Sequence, residues 1–170
     1  MMKIEFRVNP VGEITKMRQS MYADRYSWVE EVIQNAMRSE GATRLDINVT
    51  DGKVIIKDDG EGCADPQIIF EKSTTGWRKE VVDEQNPFGE GFFTLVMLGD
   101  VIKVRSKDWQ VTFKPGRIIE DRVMDGNLIL EEGLEPIEGF EIEVTEILPE
   151  YNSYNIKKRI KNVGKFIKGL

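Results

Sequence analysis

The stretch that decides the fold is RLDINVTDGKVIIKDDGEG, residues 44–62. Apolar and polar residues alternate in two of its segments, 44–50 and 53–58, which is the period of a half-buried β-strand. Asp51 and Gly52, between the segments, are the pair most suited to a two-residue hairpin turn. The stretch therefore predicts two antiparallel strands, followed directly by a turn that contains two glycines.

A helix is predicted immediately before this hairpin, at residues 27–39. Ser27 and Glu30 form the pattern of a capping box, which marks the helix start. Glu31 and Asn35 lie one turn apart, on a polar stripe beside the apolar face. That apolar face recurs at spacings of three and four and consists of Trp28, Val29, Val32, Ile33, Ala36 and Met37.

The chain on either side of this unit predicts further strands and helices. The first 16 residues alternate like a strand, most clearly at residues 3–8. Asp65 and Pro66 suit the first positions of a short helix. Residues 92–98 have the apolar density of a buried helix. Five further strands are predicted at residues 101–107, 109–115, 116–121, 127–132 and 140–147.

Two other segments have distinctive compositions. Residues 73–90, STTGWRKEVVDEQNPFGE, have no dominant period. A loop of this length inside a compact domain is usually a lid or a binding element. Residues 155–170 predict a basic amphipathic helix, which has isoleucine, valine and leucine on one stripe and lysine and arginine elsewhere. We expect this helix to dock its apolar stripe on the domain; binding to DNA or to a partner is the alternative.

Composition narrows the class of protein. A chain of 170 residues is one ordinary domain, and no apolar stretch approaches the roughly 20 residues of a membrane-spanning helix. The N-terminus lacks the features of a secretory signal, so we expect a cytoplasmic protein. With one cysteine and no histidine, an internal disulfide, the usual zinc sites and a histidine general base are excluded. The net charge of −6 gives no indication of nucleic-acid binding.

Short motifs supply the functional prediction, because three of them occur in order. Taken alone, an acid beside an apolar face is usually solvated, and an Asp-x-Gly-x-Gly segment is usually a turn. The segment GEGFFT is neither a dinucleotide fingerprint nor a phosphate loop. The three motifs are Glu31-x-x-x-Asn35, Asp58-x-Gly60-x-Gly62 and Gly89-x-Gly91-Phe92.

With these motifs, the chain from Ser27 to Ile147 resembles the ATP-binding domain of the GHKL superfamily, which includes gyrase B, the ninety-kilodalton heat-shock chaperones, histidine kinases and MutL. The resemblance implies a single α+β domain over residues 1–170. It would be a two-layer α/β sandwich, the Bergerat fold, with a mixed, mostly antiparallel sheet covered on one face by helices. The motifs do not choose between the branches of the superfamily.

The resemblance also implies a role for each motif residue. Asp58 would accept a hydrogen bond from the exocyclic amine of adenine, and Gly60 and Gly62 would let the backbone approach the base. Asn35 would bind Mg²⁺, which holds the phosphates of ATP or ADP. Glu31 would orient the water that attacks the γ-phosphate and help to deprotonate it.

The third motif and the long loop would contact the phosphates. Gly89, Gly91 and Phe92 would present backbone N–H groups at a helix N-terminus, where anions are stabilised. Residues 73–90 would form the lid over ATP.

Three residues depart from the pattern of the superfamily. Arg38 stands where many relatives have an acidic residue. Phe140 follows Gly139 where the superfamily usually has a threonine that helps to fix adenine, and Thr145 is a candidate substitute. Cys63 replaces a larger apolar residue, and we expect it to be a small buried hydrophobe.

Glu31 and the absence of histidine favour hydrolysis over phosphotransfer. We therefore expect slow hydrolysis of Mg-ATP to ADP and phosphate, coupled to lid closure and to contacts in a homodimer or with a partner. Full activity would need a following transducer-like domain or a partner, because the ATPase branches take a phosphate-binding lysine or arginine from there. The alternative is a non-hydrolysing nucleotide-binding or scaffold module of the same fold.

Overall fold

The computed structural model describes residues 10–20, 25–38, 41–67, 69 and 94–164. Within these residues six strands form one antiparallel sheet in the order β1-β2-β6-β3-β4-β5. The strands are β1 (Leu45–Thr50), β2 (Lys53–Asp58), β3 (Gly99–Lys107), β4 (Trp109–Phe113), β5 (Leu128–Glu131) and β6 (Ile137–Ile147). The helices are α1 (Pro10–Ser20), α2 (Ser27–Arg38), α3 (Pro115–Asp121) and α4 (Ser153–Gly164). No helix in the described ranges is long and apolar enough to cross a membrane.

The register of the strands gives the sheet one apolar face. Because side chains alternate along a strand, residues paired across the sheet project from the same side. One row across five strands consists of Val54, Val144, Ile102, Phe113 and Leu128. The next row consists of Ile56, Ile142, Val104, Val111 and Leu130. The opposite side carries charged residues, including the Lys57 and Glu141 pair at 3.8 Å.

The helices complete the core on the apolar side. Ile14 of α1, Ile118 of α3 and Ile156 of α4 are all buried in one cluster with the apolar strand residues. Helix α2 contributes the most, through Trp28, Val29, Val32, Ile33 and Ala36. An α+β domain of helices packed on an antiparallel sheet is therefore confirmed.

Helix α2 confirms the prediction at residues 27–39 with two differences. Met37 was placed on the apolar face, but its side chain is 54% exposed. Glu30 was predicted to complete a capping box. Its Oε1 atom instead accepts a hydrogen bond from Arg159 Nε at 2.5 Å, which ties α2 to α4.

Two segments predicted as strands are helical. Residues 116–121 form most of α3, because Pro115 fixes the backbone angle at the first helical position. Residues 10–16 belong to α1, which also begins with a proline. Both helices are short, so a few apolar residues do not distinguish helical from strand period.

The remaining predictions are met in part. The sheet is antiparallel at every described pairing, whereas a mixed, mostly antiparallel sheet was predicted. Within the predicted helix at 92–98, Leu95–Met97 form a buried 3-10 turn. Asp65 Oδ1 accepts the Gln67 N–H at 3.0 Å, which confirms it as the cap of a helical turn. The predicted strand at 3–8 lies outside the described residues.

Candidate functional site

Three chain segments meet at one end of the sheet. They are the turn after β2, the last residues of β3 and the first residues of β6. Strand alternation places Asp58 on the same face as Val54 and Ile56, and Ser106 on the same face as Ile102 and Val104. This end of the helix-covered face therefore carries polar groups where the rows before it are apolar.

Asp58 is the acceptor at the centre of this group. Its Oδ1 atom accepts hydrogen bonds from the backbone N–H of Gly60 at 2.9 Å and of Phe140 at 3.4 Å. Its Oδ2 atom has no hydrogen-bond partner among the described residues. Burial raises the pKa of Asp58 above its ordinary value, while the two N–H groups oppose that rise. The carboxyl group is thus fixed through Oδ1, and Oδ2 remains available to accept a hydrogen bond.

Close backbone contacts at two glycines hold this arrangement together. Gly139 has φ +65°, and a Cβ atom there would lie 2.7 Å from Asp58 Oδ1 and overlap the Asp58 carbonyl oxygen. Gly62 has φ +74°, and a Cβ atom there would lie 2.9 Å from the Gly139 carbonyl oxygen and overlap Ser106 Oγ. Both glycines are therefore required by the packing of the turn against β3 and β6.

Ser106 was not predicted as a site residue, yet it joins all three segments. It is fully buried. Its Oγ atom donates to the Gly139 carbonyl at 2.9 Å and accepts the Cys63 N–H at 2.9 Å. Trp109 Nε1 donates to the Cys63 carbonyl at 2.7 Å, which fixes the turn from a second side. The signal in the sequence was a serine at a position of β3 that alternation assigns to the apolar side. A hydroxyl buried there needs hydrogen-bond partners.

The structure places Phe140 and Cys63, two of the three residues that depart from the predicted pattern. Thr145 pairs with Lys53 and Val101, at the other end of β6 from Phe140. Thr145 therefore does not lie beside Phe140, contrary to its prediction as a substitute there, and Ser106 is the residue that pairs with Phe140. The Phe140 side chain is buried in the core.

Cys63 packs against the core as a half-buried side chain. Its Sγ atom donates to the Asp65 carbonyl at 3.1 Å. Burial raises the pKa of the thiol, so the neutral form is favoured. These features agree with a structural role as a small hydrophobe.

The turn is also bound to the loop that follows α2. Asp59 accepts the backbone N–H of Thr43 at 2.7 Å and of Arg44 at 2.8 Å, as well as the Thr43 hydroxyl. The hydrogen bond from the Thr43 side chain, followed by the two N–H groups, lowers the pKa of Asp59. A Cβ atom added at Gly41 would lie 3.6 Å from Glu61 Cγ. Residues 41–44, which precede β1, are thereby held beside the turn.

The other predicted site residues divide into two groups. Glu31 is half-buried on α2, and Asn35 lies in the last turn of the same helix. The Asn35 side chain, the Arg38 side chain and the predicted lid and phosphate residues (73–90, Gly89, Gly91 and Phe92) lie outside what the structure describes. Asp58, Gly60 and Gly62 are therefore the predicted residues that the structure brings together.

No group of three or more acidic, cysteine or histidine side chains that could hold a metal occurs in the described part of the chain. The predicted magnesium site does not depend on such a group. As predicted, it would use Asn35, the phosphate oxygens and water, which suits a cation that keeps much of its hydration shell.

Comparison with known proteins does not assign a family. No protein-family model matches the chain, and no curated protein matches it.

We predict that Gly139→Ala destabilises the protein far more than Gly133→Ala. Both positions have positive φ, so each alanine costs about 1–2 kcal/mol of backbone strain. Gly133 has open space around it, whereas Gly139 faces Asp58. Overlap should add at least about 2 kcal/mol at Gly139. Urea unfolding measures both changes, and equal losses would contradict the close approach.

We predict that Asp59→Ala lowers the free energy of unfolding near neutral pH and that this loss fades in acid. A lowered pKa in the folded state gives stability that is present above the unfolded value of 3.8 and is lost as pH falls through the folded value. Urea midpoints measured across this range test the prediction. Asp125→Ala is the control, because Asp125 is exposed in a different turn. A loss independent of pH would show that the Asp59 charge is not involved.

Proposed function

We propose that this chain is the ATP-binding domain of an ATPase of the GHKL type. It binds Mg-ATP, hydrolyses it slowly to ADP and phosphate, and couples lid closure to contacts with a partner or a second copy. The observation that carries the proposal is the Asp58 carboxyl group. It lies on the helix-covered face at the end of the sheet, held through Oδ1 and open at Oδ2.

The chemistry of Asp58 fits adenine. The exocyclic amine of adenine is a hydrogen-bond donor, and Oδ2 is an acceptor. Guanine has a carbonyl oxygen at the corresponding position, so two acceptors would face each other. Partial burial lowers the local dielectric, which strengthens a correct hydrogen bond and makes a wrong pairing more costly.

Helix α2 would supply the part of the site that binds magnesium and phosphate. Thr43 and Arg44, which follow α2 in the chain, donate backbone N–H groups to Asp59, the neighbour of Asp58 in the turn. Asn35, in the last turn of α2, would bind Mg²⁺ and the phosphates, and Glu31, one turn earlier, would act on the attacking water. Gly89, Gly91 and Phe92 would supply N–H groups to the phosphates, under the lid at 73–90.

Hydrolysis needs a cationic side chain beside the γ-phosphate. We assign this lysine or arginine to a following domain or a partner. We therefore expect slow turnover by the isolated chain, which we place in the cytoplasm. A developing negative charge in phosphoryl transfer is stabilised mainly by such cations and by magnesium.

A second candidate is a module that binds nucleotide without hydrolysing it, or serves as a scaffold. The buried Phe140 favours this candidate, because the superfamily places a threonine hydroxyl there. The nearby hydroxyl, on Ser106, already bonds Cys63 and Gly139. Nucleotide binding and the effect of Glu31 on turnover separate the two candidates.

We predict that the protein binds ADP and a non-hydrolysable ATP analogue with an affinity that magnesium increases. We also predict that the protein prefers adenine to other bases and that Asp58→Asn removes this preference. Asparagine would use its oxygen for the Gly60 and Phe140 N–H groups and turn its amino group toward the ligand. ADP should bind about 10- to 100-fold more weakly, because a charged hydrogen bond is replaced by two opposed donors. Calorimetric titration gives both affinities.

The same variant provides a sharper comparison with IDP, which has a carbonyl oxygen where adenine has its amine. Asp58→Asn should bind IDP better than ADP, while the wild-type protein prefers ADP. Asp125→Asn is the matched control and should behave as the wild type. Absence of ADP binding by a folded wild-type protein, or an unchanged preference in Asp58→Asn, would overturn the adenine site.

We predict that Glu31→Ala removes steady-state ATP hydrolysis and leaves ADP affinity within about twofold. A residue that acts only on the attacking water affects turnover and not ground-state binding. Phosphate release and ADP affinity, by calorimetry, are measured on the same preparations. The control variant is Glu120→Ala, which changes an exposed residue of α3. Equal activity in Glu31→Ala and the wild type would assign the hydrolysis to a contaminant.

A further inference from the structure

Helix α4 is fixed to the domain along one side. Ile156 is 2% exposed, and Ile160 and Val163 pack against the core. Arg159 donates to Glu30 of α2, and Ser153 Oγ donates to Asp51 Oδ1 at 2.9 Å. These contacts set the rotation of the helix, so the residues on its other side have a defined orientation.

The opposite side of α4 carries one aromatic ring among three lysines, a set that we call the lysine stripe. At 3.6 residues per turn, its members fall within about 100° of the helix circumference. All four side chains are exposed, and Tyr154 is 71% exposed. Among the described residues none of the three lysines has an ion-pair partner. The lysine stripe consists of Tyr154, Lys157, Lys158 and Lys161.

The lysine stripe contrasts with the composition of the chain. The whole protein has 30 acidic and 24 basic residues, whereas α4 contains no acidic residue. Arg159 is paired with Glu30, so the lysines provide the unpaired positive charge of the helix. A helix face that only keeps a protein soluble usually mixes both signs of charge.

We propose that the lysine stripe binds single-stranded nucleic acid. Lys157, Lys158 and Lys161 contact backbone phosphates, and one base stacks on the exposed ring of Tyr154. Lysines that follow the phosphates and an aromatic ring that stacks a base are the two elements of sequence-tolerant recognition of a single strand. A duplex satisfies the first element but keeps its bases inside the stack.

The dimensions of the lysine stripe set the size and strength of this site. Tyr154 and Lys161 are seven residues apart, which is about 10 Å along the helix. The three lysines along that length provide about three phosphate contacts. Three phosphate contacts imply that the logarithm of affinity falls with the logarithm of salt concentration at a slope of about −2. Binding should therefore be weak and strongly dependent on salt.

The test is the fluorescence anisotropy of a labelled DNA strand of about 12 nucleotides titrated with the whole chain at low salt. The triple variant K157Q/K158Q/K161Q should lose at least about tenfold in affinity, and its salt slope should approach zero. Tyr154→Ala should lose at least about fivefold, with the salt slope unchanged, because it removes stacking and no charge. K16Q/K53Q/K103Q is the control, since it removes three exposed lysines from other elements.

Other anionic partners give different results. Polyglutamate and vesicles of anionic phospholipid offer negative charge without bases, so the wild-type protein should prefer the DNA strand. Equal binding to these probes, no effect of Tyr154→Ala, or an equal loss in K16Q/K53Q/K103Q would overturn the proposal. Circular dichroism of each variant establishes that it is folded, which is expected because all the substituted side chains are exposed.

Discussion

The close approach of Gly139 to the end of β2 is the constraint on which the rest of the structure depends. It brings the first residues of β6 against Asp58, where only glycine fits. From that point β6 runs between β2 and β3 and pairs with both of them. Because side chains alternate along a strand, a shift of one residue in β6 would turn Ile142 and Val144, its members of the two apolar rows, away from the helices. One backbone contact thus fixes the register through which the core is assembled.

The same contact defines the candidate site. The Phe140 N–H reaches Asp58 Oδ1 only because Gly139 lets β6 come so near. That bond, with the one from Gly60, offsets part of the cost of burying a carboxyl group and fixes its rotation. Oδ1 therefore has a structural role, while Oδ2 is the atom available to a donor. A binding group held in this way loses little conformational freedom when its ligand arrives.

Local patterns in the sequence were sufficient for the elements that carry the predicted motifs. The hairpin, α2, the turn at Asp58 and the amphipathic character of α4 follow from period, capping residues and the Asp51-Gly52 pair. Helices α1 and α3 were missed, because each is short and begins at a proline that reads equally as the end of a strand. The position of Ser106 on the apolar side of β3 marked it as a buried hydroxyl, but its role in joining the three segments could not be predicted. That role depends on partners 33 and 43 residues away in sequence, which only the strand register brings together.

Helix α2 links the two surfaces to which we assign functions. Glu30 and Glu31 are neighbours in sequence, and successive residues on a helix point about 100° apart. Glu30 is bonded to Arg159 of α4, and its Oε2 atom is buried without a partner in the described structure. Breaking that pair would leave a partly buried carboxylate unsatisfied, which is more costly than loss of an exposed ion pair. A displacement of α2 at the proposed nucleotide site would therefore either carry α4 with it or meet that cost, which couples the lysine stripe to α2.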